Sequence, residues 1–154
     1  ASFLMLVSAH TQIFYPEWRG NSFIPPFNQR IYPCAGFTDN STTPRTLWPL
    51  DGGSFNATLH DAAAYLFINI GFGENVTDFN ITLFNAPLNE TGAGGLCFPK
   101  LTLPSGLPIS EGTNASIQFA TAGHDGGGLY NCADITFSKN ATLLPAGECK
   151  NSST

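Results

Sequence analysis

Short apolar stretches with β-branched and aromatic residues recur along this chain, and polar clusters separate them. This pattern predicts strands rather than helices. Six strands are predicted, over residues 11–15, 64–72, 79–84, 96–103, 115–120 and 129–137. The separating clusters are rich in Gly, Pro, Asn and Asp, which favour turns, and they include residues 51–53, 71–73, 92–95 and 123–128. Strands at this spacing are typical of an antiparallel β-sandwich, so the predicted fold class is all-β.

Two loop features complete the predicted architecture. The Gly-rich stretch 123–128 lies between two predicted strands and is predicted to be a hairpin loop. Residues 60–64 are the only stretch for which a short helical turn is predicted.

The two ends of the chain differ in character from the rest. Residues 1–9 carry no charge, are almost wholly apolar and end in Val7-Ser8-Ala9, the small-x-small arrangement that signal peptidase accepts. They are predicted to be the end of a secretory signal, so that the mature chain begins at His10; an N-terminal strand is the alternative. Residues 10–149 form one predicted domain, and the polar residues 150–154 are predicted to begin a Ser/Thr-rich stalk.

Composition excludes several classes of protein. A chain of 154 residues has room for one folded domain. Six Lys and Arg residues stand against eleven Asp and Glu residues, and no basic run could neutralise phosphates, so nucleic acid is excluded as a partner. No apolar stretch reaches the roughly 20 residues that a membrane-spanning helix needs.

Sequons indicate a secreted glycoprotein. Eight Asn-x-Ser/Thr sites without proline occur, and N-linked glycans are therefore expected. They begin at Asn40, Asn56, Asn75, Asn80, Asn89, Asn114, Asn140 and Asn151.

The cysteines support the same compartment. There are four, an even number without Cys-x-x-Cys spacing, which favours two disulfides over a zinc site. They are Cys34, Cys97, Cys132 and Cys149. Spacing alone leaves all three possible pairings open.

The three histidines, His10, His60 and His124, are candidates for metal chemistry. A mature N-terminal His10 offers two nitrogens, its α-amine and its ring Nδ1. With one further imidazole, these would give the nitrogen-rich tetragonal geometry that Cu(II) prefers. His60 is the candidate for that imidazole, and the alternative is that it is an ordinary exposed loop residue. His124, inside the Gly-rich loop, is expected to be a loop residue without a metal role.

Asp134 is the one carboxylate inside an otherwise apolar predicted strand. A buried charge there would be costly unless it were paired or bound to a metal, and a metal would remove that cost. Strand alternation places Cys132 and Asp134 on the same face, so that a disulfide could fix the strand that presents the carboxylate. The alternative is an edge strand on which Asp134 faces solvent.

Ordered blocks across the chain resemble the fungal copper acquisition factors of the Bim type, secreted proteins similar to lytic polysaccharide monooxygenases. The blocks are His10, Tyr15-Pro16, Arg19-Gly20, Cys34-Ala35-Gly36-Phe37, Trp48-Pro49-Leu50-Asp51-Gly52-Gly53, His60, Gly112-Thr113-Asn114-Ala115-Ser116-Ile117 and Leu129-Tyr130-Asn131-Cys132-Ala133-Asp134-Ile135-Thr136. Together they extend the resemblance over nearly all of residues 10–149. One departure is Ala35, where the family usually has Gly.

The resemblance implies an immunoglobulin-like or fibronectin-like sandwich that carries a copper histidine brace. The implied copper ligands are His10, His60 and Asp134. The resemblance also favours the disulfides Cys34–Cys132 and Cys97–Cys149. Members of the family often carry a glycolipid (GPI) anchor, and the Ser/Thr residues 152–154 are where the stalk leading to such an anchor would begin.

Two function classes follow from these expectations. The first is extracellular Cu(II) binding in copper acquisition or homeostasis at the plasma membrane or cell wall, by a monomer that passes copper to a membrane importer or holds it in the wall. The second is a copper monooxygenase that cleaves a polysaccharide oxidatively. A carboxylate on copper fills a coordination position and stabilises Cu(II), so Asp134 favours binding without catalysis. A glycosylated adhesion or wall domain without a metal is the third alternative.

Overall fold

The computed structural model describes residues 10–38, 42–60, 65–87, 94–123 and 127–149 of the chain. Eight strands form within these ranges. They are β1 (Thr11–Tyr15), β2 (Thr46–Trp48), β3 (Phe55–Leu59), β4 (Tyr65–Phe72), β5 (Ile81–Pro87), β6 (Gly94–Phe98), β7 (Asn114–Ala122) and β8 (Gly128–Phe137). A single turn of 3₁₀ helix, Ala146–Glu148, follows near the end of the described chain. No helix in the described residues has the length and apolar character needed to cross a bilayer.

The strands form two sheets, and the predicted all-β sandwich is confirmed. One sheet has the order β1-β3-β6 and the other has the order β2-β8-β7-β4-β5. All pairs are antiparallel except β2 with β8, in which Thr46 lies beside Ile135 in parallel register. A parallel neighbour needs a long crossover connection, and the chain between β2 and β8 supplies one by building most of the sandwich.

The core lies between the two sheets because one face of each strand is apolar. In β3 the side chains of Phe55, Ala57 and Leu59 are buried while the residues between them are only partly covered. Ile68 of β4 and Phe119 of β7 belong to the same buried cluster. Each large aliphatic or aromatic side chain buried there contributes roughly 1.5–3 kcal/mol to the free energy of folding.

The six predicted strands are confirmed, the first with the predicted ends and the other five with shifted ends, whereas β2 and β3 were not predicted. The predicted hairpin at 123–128 joins β7 to β8, although residues 124–126 lie outside the described ranges. The predicted helical turn begins at His60, but residues 61–64 also lie outside them. The predictions for the ends of the chain, 1–9 and 150–154, fall outside the described residues as well.

Both disulfides connect parts of the chain that are distant in sequence. Cys34 is bonded to Cys132, and Cys97 is bonded to Cys149, which confirms the expected pairing. The first bridge ties the segment of residues 20–38, here called the 20–38 loop, to the middle of β8. The second ties β6 to the end of the described chain.

Candidate functional site

The register of the smaller sheet brings His10 and His60 together. Thr11, the first residue of β1, is the partner of Leu59, the last residue of β3. His10 precedes β1 and His60 follows β3, so the two histidines face each other just beyond this pair. The backbone N–H of His60 donates a hydrogen bond of 2.9 Å to the carbonyl oxygen of His10. The two predicted histidine ligands therefore lie side by side.

The aromatic ring of Phe23, from the 20–38 loop, packs against both imidazoles. Its centroid lies 4.9 Å from the His10 ring and 6.1 Å from the His60 ring. Trp18 supports Phe23 with an edge contact at 5.9 Å. His60 is exposed and His10 half-buried, so the pair is open to solvent beside an apolar cover.

The ring atom Nδ1 of His10 is buried and has no hydrogen-bond partner among the described residues. An unsatisfied buried polar atom of this kind costs roughly 1–3 kcal/mol. A metal ion bound at Nδ1 would remove that cost, and imidazole nitrogen is a ligand that suits copper. The two histidines therefore fit the nitrogen part of the predicted copper site.

Asp134 has a different environment from the histidines. As predicted, it shares a face of β8 with Cys132, and it is buried there, only 5% exposed. The guanidinium of Arg19 binds its carboxylate, with Nη2 at 2.9 Å from Oδ1 and Nε at 3.0 Å from Oδ2. The hydroxyl of Ser116 donates a further hydrogen bond of 2.6 Å to Oδ1.

These contacts decide between the two predictions for Asp134, a buried and compensated charge or a residue that faces solvent on an edge strand. The prediction of a solvent-facing edge strand is wrong, because β8 lies between β2 and β7 and the Asp134 side chain is buried. Arg19 supplies the opposite charge that offsets the cost of burying Asp134. From the sequence, a metal ion was the expected source of that compensation. In the sequence, the one feature that singled out Arg19 was its place in the Arg19-Gly20 block of the family resemblance. A Cβ on Gly20 would lie 2.4 Å from the Phe37 ring, and the Phe37 carbonyl accepts a hydrogen bond from Arg19 Nη1.

The structure does not bring the three predicted ligands together. Nowhere in the described ranges do three His, Cys, Asp or Glu side chains form a group that could hold a metal ion. His124 lies outside those ranges. What the described chain assembles is a pair of imidazoles under Phe23, and the role of Asp134 as a ligand stays a prediction.

Comparisons with known proteins agree with this chemistry. A family model described as copper acquisition factor BIM1-like matches residues 8–154. A lytic polysaccharide monooxygenase-like protein, ham-7, of Neurospora crassa is 34% identical over 151 residues, covering 86% of this chain and 65% of that protein. A similarly named protein of Emericella nidulans is 34% identical over 183 residues, covering 96% of this chain and 74% of its own length. The chain thus spans about two thirds to three quarters of these curated relatives.

One solved structure also aligns with the chain. It is an AA10 lytic polysaccharide monooxygenase from Streptomyces lividans, with a TM-score of 0.48, 24% identity, and coverage of 64% of this chain and 62% of that one. The sequence match is the stronger finding, since it extends over nearly the whole chain. The chain belongs to the family of BIM1-like copper acquisition factors.

Proposed function

We propose that this protein binds Cu(II) outside the cell through a histidine brace formed by His10 and His60. Removal of residues 1–9 frees the α-amine of His10, which joins its own Nδ1 and the His60 imidazole as the third nitrogen. The observation that carries the proposal is the buried, unpartnered Nδ1 of His10 beside a second imidazole, in a chain of a copper family.

The fold supports this role by holding both histidines at fixed spacing. The β1–β3 register sets the distance between their backbones, and the hydrogen bond from His60 to His10 closes it. Phe23 packs against both rings, at centroid distances of 4.9 Å and 6.1 Å, and helps to hold them in place. Bound copper would supply a Lewis-acidic, redox-active centre at this position.

Asp134 is the third ligand of the proposed site as the family resemblance implies it. Its carboxylate would have to exchange Arg19 for copper, and separating a buried ion pair is costly. The proposal therefore rests on the two histidines. Asp134 is a separate question with its own test.

The extracellular setting is part of the proposal. Two disulfides, together with sequons on exposed Asn75, Asn80 and Asn140, support a secreted glycoprotein. We propose that it is a monomer attached to the plasma membrane or wall by a glycolipid anchor, and that it passes copper to an importer. N-terminal sequencing and intact mass of the secreted protein test the start at His10 and the glycans; release by a phospholipase specific for such anchors tests the attachment.

The alternative is a copper monooxygenase acting on a polysaccharide, which is favoured by the relatives being named lytic polysaccharide monooxygenase-like proteins. If Asp134 bound copper, its carboxylate would fill a coordination position that oxygen activation needs open, which favours binding without catalysis. Analysis of products from chitin or cellulose with a reductant separates the two. Oxidised oligosaccharides that disappear in His60→Ala would support the monooxygenase.

Copper loading of the secreted protein tests the proposed function itself. Competition titration with a chelator of known affinity should give one Cu(II) per chain. His60→Ala should weaken binding strongly, and His124→Ala, a change at the histidine with no proposed role, should leave it unchanged. Equal losses in both variants would contradict the proposed ligand pair.

A further inference from the structure

Four buried, uncharged polar residues lie together next to His10. Each is at most 2% exposed, and they are Thr11, Ser22, Gln29 and Asn131. Polar groups at this depth are costly unless hydrogen bonds satisfy them. Neither the metal ligands nor the apolar core accounts for the choice of these residues.

Gln29 binds both main-chain groups of Thr11. The Thr11 N–H donates to Gln29 Oε1 at 2.8 Å, and Gln29 Nε2 donates to the Thr11 carbonyl oxygen at 2.8 Å. Because β1 is the edge strand of its sheet, the main-chain groups of Thr11 that face away from β3 have no strand beside them in the described part of the chain. The amide of Gln29 takes the place of that strand.

Asn131 and Ser22 complete the network. Asn131 Nδ2 donates to Thr11 Oγ1 at 2.7 Å and to the Thr11 carbonyl oxygen at 3.2 Å. Ser22 Oγ accepts from Gln29 Nε2 at 2.8 Å and donates to Asn131 Oδ1 at 2.6 Å. The two side-chain amides thereby use all four of their N–H donors.

The larger sheet anchors this network firmly. The backbone N–H of Tyr130 donates to the Gln29 carbonyl oxygen at 2.7 Å, and Cys132 holds the same loop through its disulfide. Asn131 lies between these two anchor points on β8. Ser22 is the immediate neighbour of Phe23, so the same network reaches the ring that covers the histidines.

We propose that Ser22, Gln29 and Asn131, here called the amide clamp, are positioning residues that orient His10 for copper. This inference rests on the proposed function. A histidine at the start of a processed chain has no preceding residue to hold it, so its backbone is held by Thr11 and by the hydrogen bond from the His60 N–H to its carbonyl oxygen. The clamp holds the N–H, the carbonyl and the hydroxyl of Thr11, and it thereby limits the directions in which the His10 α-amine and ring can point.

Gln29→Ala tests the clamp, and Gln118→Ala is the matched control. Gln118 is equally buried, 2% exposed, and its amide is also bonded on both sides, to Asn69 at 3.0 Å and to the Pro33 carbonyl at 2.9 Å. It has no hydrogen bond to Thr11 among the described contacts. Both variants lose a buried amide, so a purely structural role predicts the same effect for both.

Three measurements are made on each secreted protein: the thermal midpoint, the Cu(II) affinity by chelator competition, and the electron paramagnetic resonance spectrum. We expect both variants to be less stable. Only Gln29→Ala should also lower the Cu(II) affinity, by about 10-fold or more, because loss of groups that orient a metal ligand commonly has an effect of this size. It alone should also change the copper hyperfine splitting.

Gln29→Glu serves if the alanine variant folds poorly. It keeps the side-chain length and an acceptor for the Thr11 N–H, but it loses the donor to the Thr11 carbonyl, so the affinity should again fall. Wild-type affinity in either Gln29 variant, or equal losses in Gln29→Ala and Gln118→Ala, would overturn the clamp while leaving copper binding intact. A wild-type protein that binds no copper would instead overturn the proposed function.

Discussion

Replacing Asp134 with asparagine should destabilise this protein strongly. The substitution keeps the shape of the side chain but removes the charge that neutralises Arg19, and the two side chains are 5% and 3% exposed. An arginine left buried without a counter-charge costs about 3–5 kcal/mol. That is a large share of the 5–15 kcal/mol by which domains are typically stable.

For a chain of this size, 1 kcal/mol corresponds to a change of about 2–4 °C in the thermal midpoint. Asp134→Asn should therefore lower the midpoint by about 6–20 °C, measured by calorimetry without copper. The double variant Arg19→Met/Asp134→Leu should recover most of the loss, because an apolar pair leaves no buried charge. A midpoint within a degree or two of the wild type in Asp134→Asn would refute the argument that the ion pair is structural.

The same variants separate the structural role of Asp134 from its predicted role as a ligand. If Asp134 acts only through Arg19, then Arg19→Met and Asp134→Asn should change Cu(II) affinity equally. A loss confined to Asp134→Asn would assign the carboxylate to copper.

Three further predictions concern other parts of the chain. Phe23→Ala should speed transfer of copper to a chelator, because it uncovers the imidazoles. Ile24→Ala, a change at an exposed neighbour, should not change the transfer rate. Equal transfer rates for the two variants in stopped-flow measurements would contradict the role of the Phe23 ring. The Lys100 ammonium lies 2.6 Å from Asp51 and holds the pKa of that carboxyl below its ordinary value. The small stabilisation from the pair is therefore present at pH values above the ordinary pKa of Asp51, and it is lost as the pH falls through the lowered pKa. Lys100→Met should raise the pKa of Asp51 toward its ordinary value in a carbon-detected NMR titration, and no change would contradict the pairing. Glycopeptide mass spectrometry should find glycans on the exposed Asn80 and little on Asn114, whose amide is engaged by Thr136 and Glu74; full occupancy at Asn114 would contradict this.

Long apolar stretches make β4 and β8 predictable from the sequence. β8 and β4 are eight to ten residues long and carry aromatic and β-branched side chains, so their pattern is unambiguous. β2 has only three residues, too few to show a period. β3 does alternate, but Asn56 and the small Ala57 weaken its apolar signal, and a Gly pair precedes it.

The candidate site was predictable only in part for a related reason. His10 and His60 follow from the chemistry of an N-terminal histidine and from the family resemblance. Their contact depends on the register of β1 with β3, the strand that the pattern missed. Arg19 lies 115 residues from Asp134 in sequence, and no local pattern reports a pairing at that distance. The Gln29 amide that replaces a strand neighbour likewise becomes visible only with the backbone of Thr11 in place.

Cu(II) electron paramagnetic resonance of the secreted protein, with its start at His10 verified by mass, tests the central claim most directly. The spectrum should show one tetragonal copper per chain with hyperfine structure from nitrogen ligands, and His60→Ala should lose part of that nitrogen pattern together with most of the affinity. A wild-type spectrum of free or non-specifically bound copper, or one unchanged by His60→Ala, would contradict the account.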